Sequence, residues 1–319
     1  MTTETSLKVA LAQIAPVWLN KAATIDKVLM TATQAADQSA ELVVFGESFI
    51  PGYPFWIERT EGATFNSDTQ KEFHAKYLNE AVCIEAGDLD SICTLARERN
   101  IAIVTGIIER PVDRGGHSIY CSLVYISASG KIENVHRKLM PTYEERLSWS
   151  PGDGHGLRTF PLGPFTMGAL NCWENWMPLP RAALYGQGEN LHIAIWPGSE
   201  QNTEDITRFM AREGRSFVIS VSAILRPEDI PADIPFRDQI LARCEPWFAN
   251  GGSCIAAPDG EWILNPQANT EDIFYATLDR EQVFRERQNF DPAGHYSRPD
   301  VTRLTVNRSR QSTVSFDED

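Results

Sequence analysis

Three side chains that can do chemistry stand at the ends of strand-like runs. Cys172 follows the apolar run 165–170 (FTMGAL). A short apolar run with a glycine just inside its end reads as a buried strand that stops. Asn171 and Cys172 then stand where strand turns into loop or helix. A thiol on such an elbow is fixed from below and open above, with backbone N–H groups free to meet a developing negative charge. Taken alone, Cys172 reads rather as one more buried, inert cysteine, the commoner fate of that residue. Its company shifts the reading. The run 41–45 (ELVVF) leads into Gly46 and Glu47, and the run 131–135 (KIENV) leads into His136, Arg137 and Lys138. A thiolate is a strong nucleophile. A carboxylate can take and return a proton, and a fixed ammonium stabilises an anionic intermediate. Such groups at strand ends can converge on one edge of a sheet, which is where open α/β sheets bind ligands.

The elements that must position them follow from the hydrophobic pattern. Stretch 7–14 (LKVALAQI) reads as a first strand. Asn20 suits a helix N-cap, with Ile25, Val28, Leu29, Ala32 and Ala36 at helical spacing behind it. With the 41–45 strand this makes a strand–helix–strand opening and implies a parallel or mixed sheet. Stretches 70–86 and 89–99 read as helices, and 101–107 (IAIVTGI) as a β-branched strand. Runs 120–126 and 131–135 flank SASG, a hairpin turning at Gly130. Segment 141–161 reads as irregular. A helix over 176–186 carries Pro178 and Pro180 in its first turn, and LHIAIW (191–196) is a strand. A helix at 203–216, a strand at 217–223, a hairpin from 252–257 to 261–264, a strand at 272–278 and a short helix at 280–288 complete the pattern. The aromatic segment 51–66, with Tyr53, Phe55 and Trp56, is a loop that either walls a pocket or packs on the surface. Segment 226–238 is a proline-rich loop or insertion. No repeat or linker divides the chain, so one α/β domain covers 1–301, and 302–319 is a polar, extended or disordered tail.

Composition removes several function classes. A formal net charge of -14 argues against a nucleic-acid or anionic-membrane partner. No apolar run approaches the length needed to span a bilayer, and the start of the chain lacks the basic and apolar regions of a signal peptide. The cysteines Cys83, Cys93, Cys121, Cys172, Cys244 and Cys254 form no CxxC pair and have no histidine at zinc-ligand spacing. A reduced, cytoplasmic protein with individual thiols and no metal is the expectation. The first strand is followed by no GxGxxG and no phosphate loop, which sets aside a nucleotide-binding protein.

The stretches FGESFIPGYPFW, HRKLMPTYEERLSWSPGDG, NCWENWMPLPR and DPAGHYSRPDV resemble, in order and spacing, the signature blocks of the carbon–nitrogen hydrolase (nitrilase) superfamily, most closely its nitrilase branch. They spread from Phe45 to Val301. The resemblance implies a four-layer αββα sandwich, with two mixed sheets face to face and helices outside. It implies a catalytic set of Glu47 as general base, Lys138 as fixed charge and Cys172 as nucleophile, with Glu145 holding Lys138 or orienting the substrate and Glu144 its adjacent rival for that part. The Trp173 backbone N–H would be a second donor to the intermediate. No cofactor is implied. Attack of Cys172 on a nitrile gives a thioimidate; water then adds, ammonia leaves, and a thioester is hydrolysed to the acid. CWEN and PGYPFW point to nitriles rather than amides. A wall of Tyr53, Phe55, Trp56 and Trp173 suits aromatic or arylaliphatic nitriles; His192 and Trp196 either line the site or sit in the core. His136 is a weaker partner for Cys172 than Lys138, His155 is a further catalytic decoy, and His295 reads as structural or interfacial. Rival readings are an amidase or carbamoylase, a cyanide-hydrolysing enzyme, or an inactive scaffold, which would not need the intact acid, amine and thiol. Pairing of copies through 176–186 and 203–216 is implied, at least a homodimer; segments 55–66 and 226–238 look like the insertions that extend such dimers into spirals.

Overall fold

The computed structural model describes residues 5–242 and 246–314; Cys244 and the last residues of the tail lie outside these. The chain runs β1 (Ser6–Gln13), α1 (Lys21–Asp37), β2 (Leu42–Phe45), α2 (Trp56–Arg59), α3 (Asp68–Glu80), α4 (Asp90–Arg99), β3 (Ala102–Glu109), β4 (Tyr120–Ile126), β5 (Ile132–Arg137), β6 (Phe160–Leu162) and β7 (Phe165–Asn171). It continues through α5 (Pro178–Tyr185), β8 (Leu191–Trp196), α6 (Glu200–Gly214), β9 (Phe217–Ser222), β10 (Ile224–Leu225), α7 (Arg237–Leu241), β11 (Ala249–Ala256), β12 (Trp262–Ala268), β13 (Asp272–Asp279) and α8 (Glu281–Glu286). One sheet has the order β13-β1-β2-β3-β4-β5, and the other β10-β11-β9-β8-β7-β6 with β12 on β11. Both are mixed: β1, β2 and β3 pair in parallel, as do β7, β8 and β9, while hairpins close the edges antiparallel.

The layers follow from alternation along each strand. Leu7, Val9 and Leu11 of β1 and Leu42 and Val44 of β2 pack between the sheets against Met167, Ile193, Ile195, Ile219 and Val221. The intervening residues Ala10, Val43, Phe45 and Ile103 face outward under α1 and α4, through Val28, Ala32, Ile92 and Ala96. On the far side Ala194, Trp196 and Val218 meet Ile206 and Met210 of α6. Helix, sheet, sheet, helix is the expected αββα sandwich. Strands such as β2 and β9 are buried throughout because both faces are covered.

Local signals set the helix ends. The Asn20 side chain accepts a hydrogen bond from the Ala23 amide at 3.0 Å. Asn100 closes α4 in the left-handed region at φ 51, and proline opens α5. The helix expected over 70–86 ends at Glu80, because Val82 turns extended and exchanges backbone hydrogen bonds with Ile108 and Arg110 beyond the end of β2. Segments 51–66 and 226–238 are less open than the sequence suggests. The first contains the short helix α2. Trp56, Ile57, Phe73, Tyr77, Ile230, Ile234 and Ile240 share one buried cluster, so the two segments pack on each other. Residues 302–314 carry no helix or strand, yet they are pinned: Arg310 donates to Asp153 at 3.1 Å and to the Val135 carbonyl at 2.9 Å.

Two glycines allow close approach where β2 ends, Gly46 to the other sheet and Gly106 to the segment that follows β2. A Cβ on Gly46 would lie 2.7 Å from the Ala223 nitrogen and 3.0 Å from the Trp196 carbonyl. A Cβ on Gly106 would strike the Ser48 nitrogen and lie 2.5 Å from the Gly46 carbonyl. The peptides around Glu47 therefore lie directly against β3 and β8. Gly106→Ala is expected to lower unfolding free energy by ~1–3 kcal/mol through overpacking and to lower activity by displacing Glu47. Denaturant unfolding with an activity assay checks it; wild-type values of both would refute the close-approach argument.

Candidate active site

Glu47, Lys138 and Cys172 are each delivered by a strand end. Beyond β2, the Glu47 amide donates to the Trp196 carbonyl at 3.0 Å, so backbone fixes this residue at the end of β8. Beyond β5, the Lys138 amide donates to the Cys121 carbonyl at 2.8 Å. Beyond β7, Cys172 adopts φ 44, a left-handed conformation that is strained for a residue with a side chain, and opens a 3-10 turn over Cys172–Trp176.

The three converge. The Lys138 ammonium is 2.9 Å from a Glu47 carboxylate oxygen and 2.7 Å from Glu145 Oε2. The contact to Glu145 is a well-directed hydrogen bond. The contact to Glu47 is an ion pair of poor direction, which leaves both Glu47 oxygens without a directed hydrogen bond among the described residues. One ligand atom each from Glu47, Glu145 and Cys172 lie within 4.8 Å of one another. Glu47, Lys138 and Glu145 are all about 1% exposed and Cys172 is 3% exposed. Two carboxylates and a thiol resemble a cation site, but the Lys138 ammonium already sits against both carboxylates and repels a second cation.

Glu145, rather than Glu144, is the carboxylate on Lys138. It also accepts from the Thr142 amide at 2.6 Å and the Tyr53 hydroxyl at 3.1 Å, while Glu144 accepts from the same hydroxyl at 2.9 Å. The Trp149 ring lies 5.4 Å from the Lys138 nitrogen.

Charge states follow from the burial. Desolvation raises Glu47 from 4.5 to about 8, with Lys138 opposing and Glu145 adding to the rise. Burial pushes the Cys172 thiol well above its ordinary value, against the pull of Lys138, so the resting group is a thiol. Burial alone would lower Lys138, but negative charge on Cys172 when it is ionised and on the Glu47 and Glu145 carboxylates outweighs it and holds the amine charged. The arrangement is a neutral thiol beside an acid that titrates near neutrality, under a permanent positive charge. The Trp173 backbone N–H also opposes the rise of the thiol, favouring negative charge on the Cys172 sulfur.

The specificity candidates divide. Tyr53 and Phe55 pack with their rings tilted and centroids 4.9 Å apart, and line, with Glu47 and Phe49, a small cavity. The Trp173 side chain is 52% exposed beside Cys172. Trp56 does not face this cavity: it is buried against Trp18, Phe73 and Tyr77 beneath the loop. Trp196 lies in the helix-facing cluster that also holds Cys172, and its indole donates to Ser220 at 3.3 Å. His192 is 2% exposed and bonded to Glu189 and Asn175, on the same outward face of β8. His136 is 3.1 Å from Glu174 and is thereby engaged away from the thiol.

Glu174 is the important residue that sequence reading passed over. Its carboxylate accepts from His136, from the Leu139 amide at 2.6 Å and from the Asn171 amide at 2.8 Å. It thus ties the segment bearing Lys138 to the segment bearing Cys172. Burial would raise its pKa, but His136 and the two amides hold it below the ordinary carboxylate value. The signal was present: Asn171 and Glu174 stand at capping-box spacing.

The fold and this site define a hydrolase of carbon–nitrogen bonds. The family model "Carbon-nitrogen hydrolase" matches residues 8–288, and the chain belongs to that family. It is 35% identical to an aliphatic nitrilase of Sinorhizobium fredii (strain HH103) over 322 residues, covering 97% of this chain and 98% of the relative. It is 36% identical to a nitrilase of Pseudomonas syringae pv. syringae (strain B728a), covering 94% of this chain and 90% of the relative. Among solved structures, the carbon-nitrogen hydrolase of Helicobacter pylori G27 matches with a TM-score of 0.70 at 19% identity, over 93% of this chain and 96% of that one. Saccharomyces cerevisiae Nit3, a member of branch 10 of the nitrilase superfamily, matches at 0.69 and 20% identity, over 93% and 98%. These structural likenesses speak to the fold.

The raised Glu47 has a stability consequence. Its proton is bound more tightly folded than unfolded, so its contribution is full below about pH 4.5 and is lost as pH rises through about 8. Relative to Glu47→Gln, the wild type should therefore lose stability across that window, by on the order of a few kcal/mol. Thermal unfolding of both proteins from acid to mildly alkaline buffer measures it; a constant difference would contradict the raised pKa.

Proposed function

We propose that the protein hydrolyses organic nitriles to carboxylic acid and ammonia, with Cys172 as nucleophile, Glu47 as general base and acid, Lys138 as electrostatic stabiliser and Glu145 as the group that holds Lys138. The observation that carries this reading is the buried meeting of Glu47, Lys138 and Cys172. The nitrilase names of relatives spanning nearly the whole chain support the substrate class.

The Cys172 thiol passes its proton to the Glu47 carboxylate as sulfur attacks the nitrile carbon. The nitrogen takes that proton, and the adduct is a thioimidate. Glu47 then draws a proton from water, which adds to the same carbon. The tetrahedral intermediate forms under the Lys138 charge and against the Trp173 N–H. Protonation of nitrogen releases ammonia and leaves a thioester. A second water, activated by Glu47, releases the acid and restores the thiol. Two waters enter, and one acid and one ammonia leave. Because Cys172 is a thiol at rest, each turnover begins with Glu47 ionised, so the acidic limb of kcat/KM lies above the ordinary carboxylate range.

The Tyr53–Phe55 wall beside Glu47 favours aromatic or arylaliphatic nitriles. The aliphatic nitrilase names among the relatives favour the competing aliphatic preference. Exposed Trp176, Met177 and Leu179 on and before α5, with Phe209 on α6, form the apolar face through which two copies would pair. We also place the protein in the cytoplasm, as one with reduced thiols; no helix among the described residues is long and apolar enough to cross a membrane.

Cys172→Ala is expected to abolish ammonia release from every nitrile while leaving the unfolding transition in place. In a panel of aromatic, arylacetic and aliphatic nitriles, kcat/KM should be highest for the first two. Turnover by the alanine variant would refute the nucleophile, and a clear aliphatic preference would refute the substrate reading. Light scattering should show a dimer or larger; a monomer would refute the pairing.

A further inference from the structure

A second buried polar chain reaches the backbone of Cys172. Glu189 Oε1 lies 2.8 Å from His192 Nδ1, and His192 Nε2 lies 2.8 Å from Asn175 Oδ1. Asn175 Nδ2 donates to the Cys172 carbonyl at 2.8 Å. Glu189 and Asn175 are fully buried, and His192 is nearly so.

The direction of each bond is fixed by chemistry. A backbone carbonyl only accepts, so Asn175 presents its NH2 to Cys172 and its oxygen to His192. His192 Nε2 must therefore carry a hydrogen. Nδ1 faces a carboxylate oxygen, and that contact also requires a proton between its partners. The Glu189–His192 pair thus holds one proton more than a neutral imidazole and a carboxylate would bring. Two further features fit a built arrangement. Gly168, opposite His192 on β7, leaves the space that Glu189 fills: a Cβ there would strike Glu189 Oε1. Arg181, held by Glu213 at 2.7 Å, donates to the Asn175 carbonyl at 2.7 Å and fixes the other end of that residue. The remaining titratable neighbours of Glu189 are Tyr185 and Arg287, and the latter donates to the Glu189 main-chain carbonyl.

The Cys172 carbonyl and the Trp173 N–H belong to one planar peptide, and in a trans peptide they point in opposite directions. Whatever holds the carbonyl therefore aims the N–H. We propose that His192 is a positioning residue: through Asn175 it fixes the strained peptide after Cys172, and so directs the Trp173 N–H at the place where negative charge develops. This rests on Cys172 being the nucleophile. It gives His192 a part in turnover without contact with substrate.

The test uses the full chain with three variants. His192→Phe removes both ring donors, and Glu189→Met leaves Nδ1 without a partner, so the ring is no longer held in place or in the Nε2–H tautomer. Glu189→Gln supplies its own N–H to a bare Nδ1 and leaves Nε2 protonated. His192→Phe and Glu189→Met should lower kcat by ~10-fold to ~100-fold, as supporting groups behind reactive ones do, with KM little changed. Glu189→Gln should restore most of kcat. Alkylation of Cys172 by iodoacetamide, which builds no oxyanion, should slow much less than kcat in the same variants. Equal kcat in Glu189→Gln and Glu189→Met overturns the proposal, as does wild-type kcat in His192→Phe. Should either variant unfold, nitrogen NMR of the histidine-labelled wild type decides: a protected hydrogen on His192 Nε2 supports the arrangement and a bare Nε2 overturns it. Failure of the nucleophile reading shows separately, as turnover by Cys172→Ala.

Discussion

A single ammonium held out of water between two carboxylates constrains everything near it. Lys138 lies within 3 Å of both Glu47 and Glu145. Burying an ion costs several kcal/mol even after relaxation, and that cost is offset only when geometry and hydrogen bonding are complete. Glu145 meets the requirement, with donors from Lys138, Thr142 and Tyr53. Glu47 does not: it is close, poorly directed and otherwise unpartnered. The acid left under-satisfied is the one we propose exchanges protons, while the other carboxylate keeps the amine in place and charged.

Positions this exact to within tenths of an ångström are set by backbone rather than by long side chains. The Glu47 and Lys138 amides are bonded to carbonyls of β8 and β4. Where Glu47 leaves β2, Gly46 lets the chain lie against the second sheet and Gly106 lets it lie against β3. Glu174 then ties the Lys138 and Cys172 segments with one carboxylate. Strain at the Cys172 elbow is tolerable because partners on several sides define it.

The reactive groups were legible in the sequence because each follows an apolar run, and apolar runs of that length in an alternating α/β pattern are strands. The sandwich and the choice of Glu145 over Glu144 came with the resemblance of the surrounding blocks. Side-chain direction was not legible. A strand covered on both faces is buried at every position and shows no polar–apolar alternation, so LHIAIW gives no sign of which residues face the helices; His192 and Trp196 prove to do so. Trp56 was beyond reach for a related reason, since its neighbours Trp18, Phe73 and Tyr77 come from separate parts of the chain. Glu174 looked like any solvated glutamate, because a buried carboxylate is recognised only by its donors.

The stretch around Arg310 bears on how the molecule is made. Arg310 grips the Val135 carbonyl across a separation of 175 residues, and Asp153 and Gly152 join it to the loop against the Lys138 strand. During synthesis at about 5–20 residues per second, roughly 10 to 35 s pass between the emergence of these two partners. The nascent chain can form its sheets in that interval, but the back of the lysine-bearing hairpin stays uncovered until the stretch around Arg310 has emerged.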